Sequence, residues 1–141
     1  MAVYTKIMKQ DIEDLFQEYD GIEELNGIAE GVENTNYLVK TNNQKKFIFT
    51  IFEKRTKETD LPFFHKAMIE FSQKGISCPI PITINKNDIF KIKQKPCAIY
   101  SFIEGSQITN LNNEALISLS KNVSAIHNIG AQSDLFRENN M

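Results

Sequence analysis

The amino-acid sequence predicts an α+β fold: a five-stranded antiparallel sheet with one helix inserted after the third strand, and a further helix after the sheet. Three observations carry this expectation. Residues 24–52 form short apolar alternations rich in Val, Ile, Phe, Thr and Tyr, the period of strands with one buried face. Residues 60–75 and 113–130 change to helical spacing, with apolar residues three and four positions apart. Between those two helices, short apolar runs return around "NKND" and in "CAIYSF".

The elements follow in order. In "IMKQDIEDLFQEYDG", Ile12, Leu15, Phe16 and Tyr19 fall at i, i+3, i+4 and i+7, which predicts a first helix ended by Gly21. Breaks at Glu33-Asn34 and at Asn42-Asn43-Gln44 divide the next segment into three antiparallel strands. The second of these turns, "TNNQKK", is built from residues that tolerate left-handed backbone and bond to it. In "DLPFFHKAMIEFSQKG", Asp60 is the expected cap and Pro62 suits the first turn. Leu61, Phe64, Met68 and Phe71 make the stripe that packs on the sheet, and Gly75 follows as the left-handed stop. Two short strands are expected around "NKND", with Pro79 and Pro81 keeping the approach extended. "CAIYSF" is apolar enough for the sheet interior, so this part of the chain supplies two or three strands. The last helix runs through Leu116, Leu119, Val123 and Ile126, with Asn110 or Asn112 as cap and Gly130 as stop. "AQSDLFRENNM" shows no periodicity of a packed ending, and no internal repeat is present.

Composition narrows the classes. The 141 residues suffice for one domain with a real core, and 41% hydrophobic with 24% charged residues is ordinary for a globular chain. Sixteen basic against eighteen acidic residues give a net charge of -2 without a basic cluster, so nucleic acid is not an expected partner. Cys78 and Cys97 lack the spacing of a zinc site and suit a reducing compartment. No apolar run approaches the ~20 residues of a membrane span. The expected location is the cytoplasm.

The chemistry is sparse. The tip "EGVENTNY" offers Gly31, where backbone can approach a ligand, and Asn34, Thr35 and Asn36, whose side chains can order N–H groups around phosphate oxygens. Read alone, the tip is a polar hairpin more readily than a phosphate flap, since it matches neither GxGxxG nor GxxxxGK[ST]. "AIYSFIEGSQI" leads a strand into a linker whose backbone edge could meet an adenine ring, or simply connects two elements. His65 suits packing or surface better than catalysis, and His127 suits the end of its helix. Glu23 and Glu24 should point apart on a strand. In "EKRTK", Lys54, Arg55 and Lys57 read as a solvated loop that could lend charge to a nearby phosphate.

Taken together, "DIEDLFQEYDGIEELNGIAEGVENTNYLVKT", "KFIFTIFEKR", "DLPFFHKAMIEFSQKGISCPIPI" and "CAIYSFIEG" resemble the amino-terminal part of the bacterial homoserine kinases of the aminoglycoside phosphotransferase and choline kinase superfamily. The resemblance covers residues 2–130. It implies a protein-kinase-like small lobe in residues 1–102 that binds ATP, with residues 103–141 forming the hinge and the start of the large lobe. Homoserine would be phosphorylated on its hydroxyl as a step toward threonine. Gly31, Val32, Glu33, Asn34 and Thr35 would form the flap over the triphosphate, and Ser101, Phe102 and Ile103 the hinge at the adenine. His127 would keep a structural role.

Two departures accompany the resemblance. Thr50 stands where many relatives carry the third-strand lysine that grips the α- and β-phosphates, so Lys40, Lys54 or Arg55 must supply that charge. No HxD sequence occurs in the chain, and the Asp and Asn that orient the acceptor and hold Mg²⁺ are expected in a part of the large lobe beyond these residues. The expectation is therefore an amino-terminal fragment, inactive alone, able to self-associate through the exposed helix at 113–130. A free-standing nucleotide- or partner-binding module, or a sibling kinase with another acceptor, remain the alternatives.

Overall fold

A computed structural model describes residues 3–138. The sheet is antiparallel throughout, in the order β1-β2-β3-β5-β4. Its strands are β1 (Ile22–Ile28), β2 (Thr35–Thr41), β3 (Lys46–Ile51), β4 (Phe90–Ile92) and β5 (Lys95–Ser101). The inserted helix is α1 (Leu61–Gln73) and the last helix α2 (Asn113–Ala131).

Alternation fixes the register. Along β2, Thr35, Tyr37, Val39 and Thr41 are buried while the residues between them are partly exposed, as period-2 geometry requires of a strand with one core face. The same face takes Phe47, Phe49 and Ile51 from β3 and Cys97 and Ile99 from β5. Burial of the Cys97 thiol pushes its pKa up to about 12, so it stays protonated as a small apolar residue.

The segment preceding β1 covers that face as two 3-10 helices, Lys9–Asp11 and Glu13–Tyr19, rather than one α-helix. Ile12 and Phe16 both leave helical geometry, with φ of -133° and -118°, and both are buried in the core. The Phe16 ring lies 5.7 Å from Phe47, and Tyr19 lies 4.6 Å from the same ring. Core contact, not helix periodicity, sets this backbone. Asp20, at φ 62°, and Gly21, at φ 82°, then turn the chain into β1.

Two further expectations are corrected. The segment before "NKND" is not a strand; it makes only the bridges Pro81↔Tyr100 and Ile84↔Asn87, because Pro79 and Pro81 have no N–H for a ladder. Asn85 and Lys86 both take positive φ there, and so do Lys93 and Gln94 between β4 and β5; this is the backbone of tight hairpin turns without glycine. Asp60 stands directly before α1, at the end of a short 3-10 turn, Glu58–Asp60, that runs into the helix. Gly130 lies inside the last turn of α2, which continues to Ala131.

Two compact units divide the chain. One comprises residues 1–61 and 81–102 and holds the whole sheet; the other comprises residues 62–80 and 103–141. In the second unit, Gly75 at φ 90° ends α1 with its N–H on the Ser72 carbonyl and that of Ile76 on Phe71, the paired bonds of a Schellman stop. Asn112 caps α2 by accepting from the Ala115 N–H at 2.8 Å. The irregular tail still makes contacts: Ser133 donates to Glu70 at 2.7 Å, and the Arg137 guanidinium lies 5.1 Å from the Phe64 ring centre.

Phe49 is fully buried at the centre of the core. Phe49→Ala is expected to cost about 3–5 kcal/mol, read as a lowered urea midpoint of the sheet-bearing unit.

Candidate functional site

The site begins where β1 and β2 are left unpaired. The β1–β2 ladder closes at Ile28↔Asn36, leaving a tip that carries Gly31, Val32, Glu33 and Asn34. Gly31 has φ 106°, a left-handed conformation that favours glycine. Val32 is 82% exposed, and its carbonyl accepts from the Tyr4 hydroxyl at 3.1 Å. The Glu33 carboxylate meets the Arg55 guanidinium at 2.5 Å. Asn34 accepts from the Glu53 N–H at 3.4 Å.

Thr35, in contrast, is 0% exposed. Its hydroxyl accepts from the N–H groups of Tyr4 (2.9 Å) and Thr5 (3.1 Å) and donates to Glu53 Oε1 at 2.5 Å. Thr5 donates its own hydroxyl to the same oxygen at 2.7 Å, and Lys95 pairs with the other one, Oε2. Farther along, the Tyr37 hydroxyl donates to the Thr5 carbonyl and accepts from the Ile7 N–H. The amino-terminal segment is thus strapped to β2 by hydroxyls instead of a strand ladder. It crosses close to Gly27, where an added Cβ would lie 2.9 Å from Val3 Cγ2.

The Glu53 side chain is 7% exposed. Burial raises its pKa, but the hydrogen bonds from Lys95, Thr35 and Thr5 outweigh it and hold the carboxyl below the usual glutamate value. Glu53, Lys54, Arg55 and Lys95 join Tyr4, Val32 and Glu33 around a pocket of about 410 Å³.

The opposite sheet face carries a different strip. Register aligns Asn36, Thr50 and Ala98 in one row and Leu38, Ile48 and Tyr100 in the next. The strip joins the tip, beside the Ile51↔Cys97 pair, to Ser101, which pairs with Phe47. Those ends lie four residue steps apart along the strand, about 14 Å. Phe102 follows β5 with its ring 5.2 Å from Lys46 Nζ. Ile103 is the first residue of the second unit's second segment.

The remaining candidates scatter. Thr50 donates its hydroxyl to Asn36 Oδ1 at 2.8 Å, a neutral cross-strand bond. A bulge between Ile22 and Glu24 corrects the expectation that Glu23 and Glu24 point apart, because both reach Lys40, at 2.9 and 3.6 Å. Glu23 raises the Lys40 pKa. Lys40 lies five residue steps along β2 from Thr35, about 17 Å; Lys54, Arg55 and Lys95 are the cations lining the pocket at the tip. His65 is buried and His127 exposed. Sequence reasoning missed Thr5, Glu53 and Lys95, since they come from separate segments and no spacing links them; the one available signal is the carboxylate directly after the β3 run "FIFTIF".

Since Glu53 titrates below its unfolded value, its stabilisation is complete above the unfolded pKa and is lost as pH falls through the folded one. Urea midpoints from about pH 6 to about pH 3 should fall more steeply for the native sequence than for Glu53→Gln. Lys95→Met should cost about 1–3 kcal/mol, the ammonium being partly in water already.

Comparison with known proteins follows this geometry. Residues 24–140 match the family model of the phosphotransferase enzyme family. The homoserine kinase of Parvibaculum lavamentivorans is 36% identical over 99% of this chain and 44% of its own length. That of Paramagnetospirillum magneticum is 37% identical over 100% of this chain and 44% of its own length. The chain therefore spans less than half the length of these curated relatives. Among solved structures, a spectinomycin phosphotransferase in complex with ADP and spectinomycin superposes with a TM-score of 0.68 at 17% identity, covering 96% of this chain and 43% of the other. An aminoglycoside phosphotransferase gives 0.55 at 14% identity, covering 90% and 40%. These likenesses establish the fold: a protein-kinase-like small lobe with its five-stranded antiparallel sheet and inserted helix, followed by the first helix of the large lobe. By the match over most of its length, the chain belongs to the phosphotransferase enzyme family.

Proposed function

We propose that this chain is the nucleotide-binding part of an ATP-dependent homoserine kinase, which transfers a phosphoryl group to the homoserine hydroxyl on the way to threonine. The observation that carries the reading is the agreement with curated homoserine kinases across 99% to 100% of the chain. Residues 1–102 act as the small lobe, and residues 103–141 as hinge and first part of the large lobe.

In this reading the triphosphate lies under the flap of Gly31, Val32, Glu33, Asn34 and Thr35, and the adenine edge bonds to backbone groups of Ser101, Phe102 and Ile103. The strip between them supports it. Leu38 and Ile48, both partly exposed, offer apolar surface to a planar base and ribose, and the tip offers backbone N–H groups next to a glycine. With Thr50 neutral and Lys40 held by two glutamates at the other end of β2, the charge for the phosphates falls to Lys54 and to Arg55, which would exchange Glu33 for a phosphate, while Lys95 in the same pocket stays with Glu53. Such cations lower the energy of the negative charge on the transferring group.

The residues present do not fit a protein-held metal. Among the described residues no cluster of three His, Cys, Asp or Glu is placed to bind one, so Mg²⁺ would enter with the nucleotide, with protein ligands supplied by the length of the relatives that this chain does not span. No catalytic residue is assigned to the chain. A cytoplasmic setting belongs to the same reading; among the described residues no helix is long and apolar enough to cross a membrane.

Leu116, Ile117, Leu119 and Val123 are all exposed on α2, an apolar surface that favours self-association. Sedimentation velocity is expected to show concentration-dependent association, reduced in Leu119→Lys/Val123→Lys. Homoserine-dependent ADP formation is expected from these residues joined to the remaining length of the relatives and not from the 141 residues alone. ADP formation by the short chain, or indifference of the long one to homoserine, would count against the proposal.

A further inference from the structure

The proposed function gives no part to Glu53, Lys95 or Thr5, although they form an ionic cluster around a buried carboxylate beside the proposed flap. Resting on that reading, we infer that Glu53 is a positioning residue for the phosphate flap, acting through the Thr35 hydroxyl and the amino-terminal strap.

Thr35 is the last flap residue and the first of β2, so whatever holds its side chain sets where the flap leaves the sheet. Its hydroxyl has one proton and two acceptor sites. All three are used: the proton goes to Glu53 Oε1, and the Tyr4 and Thr5 N–H groups donate in return. A neutral residue at 53 could not hold this proton as strongly, because hydrogen bonds to a carboxylate are stronger than those between neutral groups. Lys95 in turn holds the carboxylate charged. The strap reaches the far side of the flap as well, where the Tyr4 hydroxyl bonds the Val32 carbonyl at 3.1 Å. The cluster contacts the core face of the sheet, while Thr50 and Asn36 mark the nucleotide strip on the other. Glu53 thus braces the flap through the Thr35 hydroxyl, with its own oxygens taken up by Thr35, Thr5 and Lys95, and ligand binding need not supply the order of the flap.

The discriminating measurement compares Mg-ATP with adenosine, which lacks phosphates, by titration of the full 141-residue chain. Thr35→Val and Glu53→Gln are expected to weaken Mg-ATP binding about tenfold and adenosine binding less than about twofold, with Thr35→Ser close to the native value. A general loss of structure would weaken both ligands alike. Equal losses, or no loss, overturn the positioning role while leaving the nucleotide site standing. If the unaltered chain binds neither ligand, the nucleotide reading fails and this inference with it.

Discussion

A carboxylate that is almost removed from water must be compensated on the spot, and at Glu53 the compensation gathers the end of the sheet. Its partners come from the amino-terminal segment, the start of β2 and the start of β5. None of these segments is adjacent in sequence, so satisfying one charge fixes the mutual placement of all of them. The Thr35 hydroxyl extends the same constraint to two backbone N–H groups of the strap. The polar character of "EGVENTNY" therefore has two sources. Thr35 and Asn34 serve the inner framework, while Gly31, Val32 and Glu33 remain at the surface.

The two faces of the sheet carry different residues. One face is filled with Phe47, Phe49, Ile51, Val39 and Ile99 and is covered by the 3-10 helices through Ile12 and Phe16. The other presents mixed rows, Asn36-Thr50-Ala98 and Leu38-Ile48-Tyr100. A residue's role follows from its parity in the strand: Thr50 and Ile51 are neighbours in sequence and stand on opposite sides of the domain. Thr50 on the second face carries no charge and bonds Asn36 across the strands. Lys54 and Arg55 sit past the end of β3, where Arg55 is engaged by Glu33. An acidic residue in the proposed flap is thereby neutralised in the structure without a nucleotide.

Much of the fold was legible in the sequence, for an identifiable reason. β2 and β3 alternate cleanly, "TNNQKK" contains its own turn chemistry, and Gly75 ends α1 where no side chain would suit the backbone. Local misreadings fell where distant contacts overrode local pattern. Ile12, Leu15, Phe16 and Tyr19 have helical spacing, yet Ile12 and Phe16 are drawn out of helical geometry by the core. The segment before "NKND" has strand-like composition, but proline leaves it with isolated bridges.

The sequence by itself determined the five-stranded antiparallel sheet, the inserted and terminal helices, and, through its resemblance, the family, because hydrophobic period and turn chemistry are local properties that survive in one dimension. Tertiary structure alone decided the partners of Glu53, the strapping of residues 3–7 along β2, and the capture of Lys40 by Glu23 and Glu24 across a bulge. Those outcomes depend on which distant residues share a sheet face and on where register slips by one residue, and neither is written in the spacing of any single segment.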